Sequence, residues 1–358
     1  VIQTLSIQNF RSHKKVLFND CGRVNLLLGR NNSGKTAVLE AILLLCFPPN
    51  PREVLILLND QRGYKPGDEN YELWNSYFNR WEPSQPISLS VEDIPAHSGR
   101  IVCQNLSITA EMGFANPVTS GSVIEGRDVL DKTQGLVFKY RYESGNVEKK
   151  ISTLKRKTRQ ALPSKVNGIV DQIRPIAFIP AKGIANPQDE AERFSRLEKA
   201  NRHHEVEEAL RAVEPRLKRL TVIAGGQGSM VYGDLGEAHL TPVALMGEGM
   251  VRMLSIATAL VNNQGGLVLI DEIENGLHYS VLPSLWKMIF KTAQALDIQV
   301  FATTHSDECI LAASQMAQTE YENDLRLFRL DLVQDKTIVT DYSGQELAVA
   351  IASDQEVR

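Results

Sequence analysis

Four short segments carry residue types suited to phosphate chemistry. Gly29-Arg30-Asn31-Asn32-Ser33-Gly34-Lys35-Thr36 has the spacing GxxxxGK[ST]. Glycines at those positions let successive backbone N–H groups close around phosphate oxygens, and a helix start adds favourable partial charge. Lys35 would reach the β- and γ-phosphates of ATP, and the Thr36 hydroxyl would ligate Mg²⁺. Arg30, Asn31, Asn32, Ser33, Gly34, Lys35, Thr36 and Ala37 are thus candidates for holding the nucleotide. Leu267-Val-Leu-Ile-Asp271-Glu272 ends an apolar run in two acids. Asp271 could hold Mg²⁺, directly or through water, and Glu272 could polarise an attacking water as general base. His305, in Val300-Phe-Ala-Thr-Thr-His305-Ser306, follows another apolar run and could sense the γ-phosphate. Gly247-Glu248-Gly249 opens a further helix, whose first N–H groups could meet a phosphate.

The elements around these segments must deliver them to one place. Val24–Leu28 reads as a buried strand, followed by the glycine-rich turn and a helix from about Gly34 to Cys46. That helix stops before Pro48-Pro49-Asn50-Pro51, a strong breaker. A helix over Met250–Asn262 is apolar almost all round. Strand Leu267–Ile270, a helix over about Leu282–Leu296 and strand Ile298–Thr303 follow, an order that implies a parallel sheet with right-handed crossovers. In open sheets of this kind ligands bind at the carboxyl ends of the strands, where Lys35, Asp271 and His305 would all emerge.

The stretch from about 48 to 224 reads differently. Ile87–Glu92, Ile101–Glu111 and Leu136–Glu143 alternate with period two, as antiparallel strands with one wet face do. Asp189–Leu220 is a charged helical stretch broken at Pro215. The tail reads as a hairpin, Leu325–Leu332 with Thr337–Tyr342, and a short helix from about Gln345. The expected organisation is an ATPase core of residues 1–47 and 225–358, with 48–224 as an inserted β-rich lobe and helical region. The fold class is α/β: a P-loop NTPase whose head has a parallel core sheet, an antiparallel β lobe and a helical insertion.

Composition narrows the setting. The chain has 358 residues, 43% of them hydrophobic, enough for one large or two ordinary domains. With 39 basic against 43 acidic residues the net charge is −4, which disfavours wholesale wrapping of nucleic acid. Cys21, Cys46, Cys103 and Cys309 form no CxxC pair and suit a reducing compartment. No secretory leader or bilayer-spanning run stands out, so a cytoplasmic protein without membrane contact is expected.

The order of phosphate loop, long insertion, Gly-rich signature helix, Asp-Glu strand and strand ending in His resembles ABC-type ATPases of the SMC/RecF-like group. It is most similar to the OLD-like ATPases of bacteria, over about residues 1–46 and 176–358. Asn9-Phe10-Arg11 resembles the "NFR" start of RecF-like proteins, which implies that Arg11 lies near the nucleotide base. Phe178-Ile-Pro-Ala181 and Asp271-Glu-Ile-Glu-Asn275-Gly276-Leu277-His278 are similar to that group as well. The resemblance implies heads that dimerise around ATP, with Gly247, Glu248 and Gly249 acting in trans on the partner's nucleotide. Hydrolysis would need Lys35, Glu272 and His305, and would release the dimer. It also implies a homodimer or higher homo-oligomer and a separate effector protein, as in antiphage defence. Two positions depart from the transporter-type pattern. Gly247 stands where a signature serine is usual, and His278 where the D-loop aspartate is usual. The roughly 50 residues after His305 are too few for a Toprim nuclease domain.

Two other functions fit parts of the sequence. A RecF-like repair ATPase clamping duplex DNA would use Lys149, Lys150, Lys155, Arg156, Lys157, Arg159 and Lys165, seven positive charges in 17 residues. The same run also reads as a solvated face. A kinase or GTPase could share the phosphate loop, but a GTPase's Asn-Lys-x-Asp motif is absent. Trp74, Tyr77, Phe78 and Trp81 have roughly helical spacing and are expected to pack into a core rather than form a contact surface. His203-His204 cannot both face one ion from a helix, so no metal site is expected there.

Overall fold

The computed structural model describes residues 1–46, 51–63, 74–93, 106–115, 133–142, 145–151, 175–182, 187–226, 228–334 and 336–353. Its strands are β1 (Ile2–Phe10), β2 (His13–Phe18), β3 (Val24–Leu28), β4 (Ile87–Asp93), β5 (Leu106–Ala115), β6 (Thr133–Tyr142), β7 (Gly145–Ile151), β8 (Ile176–Ile179), β9 (Arg219–Gly225), β10 (Gly228–Asp234), β11 (Thr241–Pro242), β12 (Leu267–Ile270), β13 (Gln299–Thr303), β14 (Leu325–Val333) and β15 (Lys336–Ser343). The α-helices are α1 (Lys35–Cys46), α2 (Pro51–Gln61), α3 (Pro187–Lys199), α4 (His203–Leu210), α5 (Glu248–Asn262), α6 (Leu282–Ala295), α7 (Asp307–Met316) and α8 (Gly344–Ala352). The chain divides into two compact units, one of 1–19, 32–173 and 332–338, the other of 20–31, 174–331 and 339–358.

The first unit is built on an antiparallel sheet in the order β2-β1-β4-β5-β6-β7. Its strands alternate because only one face is dry. Leu5, Ile7, Leu89, Val91, Ile108 and Phe138 are buried on that face, and α1 packs on it. The other face carries small hydroxyls in register: Ser6 opposite Ser90, Ser90 opposite Ser107, and Ser88 opposite Thr109. Trp74, Tyr77 and Phe78 are core residues as expected, whereas Trp81 is 54% exposed. Of the basic run, Lys155, Arg156, Lys157, Arg159 and Lys165 lie outside the described residues, as do the side chains of Lys149 and Lys150.

The second unit holds a sheet in the order β15-β14-β3-β13-β12-β8, with β14, β3, β13, β12 and β8 mutually parallel. Each residue of β3, β12 and β13 is buried, which is why these strands read as continuous apolar runs. The buried polar exceptions are Asn25, Gln299 and Thr303, and the Asn25 side chain meets Gly22 and the Val300 carbonyl. Helix α5 buries nearly its whole circumference and packs against α3, α4 and α6. A small antiparallel sheet, β11-β10-β9, completes the unit.

The units do not divide at residues 47 and 225. β1 pairs with β2 and with β4 in the antiparallel sheet, and β8 pairs with β12 in the parallel one, so the second unit resumes at Arg174. The charged stretch after Asp189 forms α3 and α4 and then turns into β9. Among the described residues no helix is long and apolar enough to cross a membrane.

Candidate nucleotide-binding and hydrolysis site

Parallel pairing fixes which residues leave the sheet together. Leu26, Ala302 and Ile270 are aligned across β3, β13 and β12, and Ile179 of β8 continues the row. The segments that follow these strands therefore emerge at one edge: the loop from Gly29, the acids Asp271 and Glu272, and His305. Gly29 has φ 139°, a value suited to glycine, and Arg30, Asn31 and Asn32 are exposed beyond it.

The rest of the phosphate loop belongs to the first unit. Gly34 has φ 96°, and a Cβ there would run into the His13 ring and the Ser12 hydroxyl. His13 is fully buried, with Nε2 3.0 Å from the Gly34 carbonyl and Nδ1 3.0 Å from the Thr337 hydroxyl. The carbonyl can only accept, so Nε2 carries the proton and Nδ1 accepts from Thr337. Burial holds the His13 pKa below its ordinary value of 6.5, which favours this neutral form. Lys35 and Ala37 are buried at the start of α1, Thr36 is half-buried, and Ser33 is buried with its hydroxyl unpartnered.

Arg11 occupies a different environment. Its Nε donates to Glu40 Oε2 at 2.9 Å, Nη1 donates to the Ser76 carbonyl, and the guanidinium lies 4.0 Å from the centre of the Tyr77 ring. Arg62 holds the other Glu40 oxygen at 2.5 Å. Arg11 is 8% exposed and braces α1 within this unit.

At the end of β12 the acids are held by side chains. Thr303 Oγ1 lies 2.7 Å from Asp271 Oδ1, and the Glu272 N–H donates to the same hydroxyl at 2.7 Å. Glu272 has φ 48°, and its Oε2 accepts from Asn275 Nδ2 at 2.5 Å. Arg252, on α5, donates to the carbonyls of Pro180, Asp271 and Glu272 at 2.6–2.8 Å. Burial lowers the Arg252 pKa to about 10 despite the nearby acids. His305 stands 3.1 Å from Glu274 Oε1 through Nδ1, and its backbone N–H donates to that oxygen at 2.9 Å.

The Gly-rich turn before α5 is open. Gly247, the N-cap, has φ 105°, a Cβ placed on it would meet no heavy atom within 4 Å, and Glu248 is exposed. Gly249 backs onto the Gly276 carbonyl, 3.1 Å from where its Cβ would be. His278 caps the next short turn by accepting from Ser280 N. Leu245 and Tyr279 near this turn are 76% and 66% exposed.

These residues fit a magnesium–nucleotide group. In the first unit a loop with no room for a Cβ at Gly34 suits close backbone approach to phosphate and Thr36 offers a hard oxygen donor, and in the second unit Asp271 offers another. Among the described residues no cluster of three or more His, Cys, Asp or Glu could hold a metal. Mg²⁺ needs none, since it binds through one or two protein oxygens plus phosphate and water. Sequence reasoning missed Thr303, Arg252, Asn275 and His13. A lone arginine in an otherwise apolar helix was the readable signal among them.

Comparisons with known proteins bear on the fold and on ATPase domains. Residues 154–311 match the family model described as "AAA domain, putative AbiEii toxin, Type IV TA system", and residues 1–77 match an AAA ATPase domain model. An ATP/GTP phosphatase of Helicobacter pylori is 21% identical over 97% of each chain. The DNA replication and repair protein RecF of Clostridioides difficile is 32% identical over 80 residues, about a fifth of either chain. The Rad50 ATPase of Thermococcus kodakarensis is 39% identical over 54 residues, 15% of this chain and 6% of that one. Among solved structures, an Smc head bound to the C-terminal domain of ScpA, derived from Pyrococcus furiosus, superposes with a TM-score of 0.51 at 14% identity, covering 99% of this chain and 98% of that one. Another SmcHead structure, bound to the C-winged helix domain of ScpA, gives the same TM-score over 96% and 97%. The chain thus carries matches to ATPase-domain models over residues 1–77 and 154–311, and it has the fold of the Smc heads.

Proposed function

We propose that this chain binds ATP with Mg²⁺, hydrolyses it, and uses the cycle to open and close a pair of heads that controls a separate effector protein. The observation that carries this reading is the common edge at which β3, β12 and β13 release the start of the phosphate loop, Asp271-Glu272 and His305. Backbone N–H groups of the loop and Lys35 would hold the phosphates, with Arg30, Asn31, Asn32, Ser33 and Ala37 completing the loop. Thr36 and Asp271 would hold Mg²⁺, whose chemistry is to neutralise charge on the β- and γ-phosphate oxygens. Glu272 would orient and deprotonate the attacking water, and His305 would report the γ-phosphate. Arg11, braced by Glu40, would act by shaping the first turns of α1.

Pairing is supported by the free N-terminus of α5. Gly247 presents an uncapped helix start, flanked by the exposed apolar side chains of Leu245 and Tyr279. An uncapped start of this kind, with Glu248 and Gly249 behind it, would complete the partner's nucleotide site. The Smc heads bound to ScpA support a separate protein partner, and the toxin named in the matching family model favours effector control, as in OLD-like antiphage systems. The local likenesses to RecF and Rad50 favour a second reading, in which the closed pair clamps duplex DNA.

The test is the solution mass of Glu272→Gln, with and without Mg-ATP, repeated with duplex DNA. A larger assembly formed only with ATP is expected, and DNA entering it would favour the clamp. An ATP-bound monomer of unchanged mass would sink the pairing. Lys35→Ala is expected to lose ATP binding altogether.

A further inference from the structure

Thr303 ends β13 with its side chain fully buried, and the proposed cycle assigns it no part. Its single hydroxyl stands between the two acids. A hydroxyl has one proton and two lone pairs, and the backbone N–H of Glu272 can only donate. That N–H therefore takes a lone pair of Oγ1, and the hydroxyl proton goes to Asp271 Oδ1, each over 2.7 Å. The two bonds have different consequences. The first holds Glu272 at φ 48°, a left-handed conformation that costs a non-glycine residue energy and persists only when its surroundings enforce it. The second fixes the plane of the Asp271 carboxylate and marks one of its oxygens as an acceptor.

We propose that Thr303 is the positioning residue of the hydrolytic site, a one-atom gauge that sets the Asp271 carboxylate and the Glu272 backbone in fixed relation to each other. The proposal rests on the roles given to Asp271 in holding Mg²⁺ and to Glu272 in activating water. Arg252 anchors the carbonyls of the same two residues, and Asn275 anchors the Glu272 carboxylate. The Thr303 hydroxyl reaches both the side chain of Asp271 and the N–H of Glu272. Groups placed behind metal ligands in this way typically change metal affinity or activity by about 10–100-fold when removed.

The experiment compares Thr303→Val, which keeps the branched shape, with Thr303→Ser, which keeps the hydroxyl. A fluorescent ATP analogue is titrated with and without Mg²⁺, and hydrolysis is followed in single turnover. Thr303→Val is expected to bind the analogue as wild type does without Mg²⁺. It is expected to lose about 10–100-fold of the Mg²⁺-dependent gain and of the hydrolysis rate. Thr303→Ser stays within about threefold of wild type, well short of that loss. Equal loss in Val and Ser would assign the effect to packing and overturn the proposal, as would a Val variant with wild-type Mg²⁺ dependence and rate. If Thr303→Val does not fold, Thr303→Cys takes its place, since a thiol is a poor donor of nearly the same size. A wild-type protein that binds ATP but never hydrolyses it sinks the role of Glu272, while the Mg²⁺ titration still decides for or against Thr303.

Discussion

The phosphate loop and the acidic end of β12 hold reactive groups by opposite means. The loop works through its main chain: Gly29 and Gly34 adopt positive φ, and Gly34 is packed so closely against His13 and Ser12 that no side chain fits. The acidic end works through side chains brought from elsewhere in the sequence, Thr303 from β13 and Arg252 from α5. A main-chain device must write itself into the sequence as glycines at fixed spacing, because no other residue serves. A side-chain device has many spellings, and its parts are joined only once the sheet has formed.

The contrast can be broken most forcefully at Gly34. Gly34→Ala places a methyl group into the His13 ring at φ 96°, a strain of about 1–3 kcal/mol, and is expected to abolish ATP binding in a calorimetric titration. Near-normal binding would show that the loop tolerates side chains after all. Arg252→Met is next. It leaves three carbonyls short of a buried donor, a loss of about 2–3 kcal/mol in denaturant unfolding. ATP binding is expected to survive while hydrolysis falls. Loss of binding instead would mean that the two devices are not separable.

His13→Gln is milder, about 1 kcal/mol for the exchanged hydrogen bonds. Its signature is pH. Burial lowers the folded-state pKa of His13, so the unfolded chain takes up more protons, and the associated stability is complete above pH 6.5 and declines as pH falls below it. The stability difference between wild type and His13→Gln is expected to shrink over that acid range, and a constant difference would count against the neutral tautomer. Gly247→Ala has the smallest effect on the fold, roughly 1 kcal/mol for a positive φ with open space around it. ATP-driven assembly, read as mass in solution, is expected to weaken much more than that. Unchanged assembly would remove the α5 N-terminus from the pairing surface.

The same contrast explains what was legible in advance. Val24–Leu28, the loop and α1 are local: an apolar run, a glycine turn and a helix stopped near a proline cluster. The strands leading to Asp271 and His305 were legible too, because strands buried on both faces are mostly apolar, as Leu267–Ile270 and Val300–Ala302 are. Thr303 was not, because a threonine ending a strand is ordinary until its partner strand is known. Arg11 carried a family motif, yet its guanidinium is taken up by Glu40, Ser76 and Tyr77. The second unit resumes at Arg174 rather than near 225 because β8, four residues that the resemblance from 176 onward already covered, pairs with β12 in the parallel sheet.

The position of β3 in the parallel sheet has a consequence for how the chain is made. Asn25 bonds to Val300 across 275 residues of sequence, and β14, the other neighbour of β3, comes later still. At a synthesis rate of about 5–20 residues per second, this strand waits roughly 14–55 s for its first partner to leave the ribosome. Throughout that interval Val24-Asn-Leu-Leu-Leu28 is an unpaired apolar segment next to a phosphate loop that cannot yet close. Newly made chains are therefore expected to depend on holding chaperones, and a truncation before Gln299 to leave β3 exposed and drive aggregation.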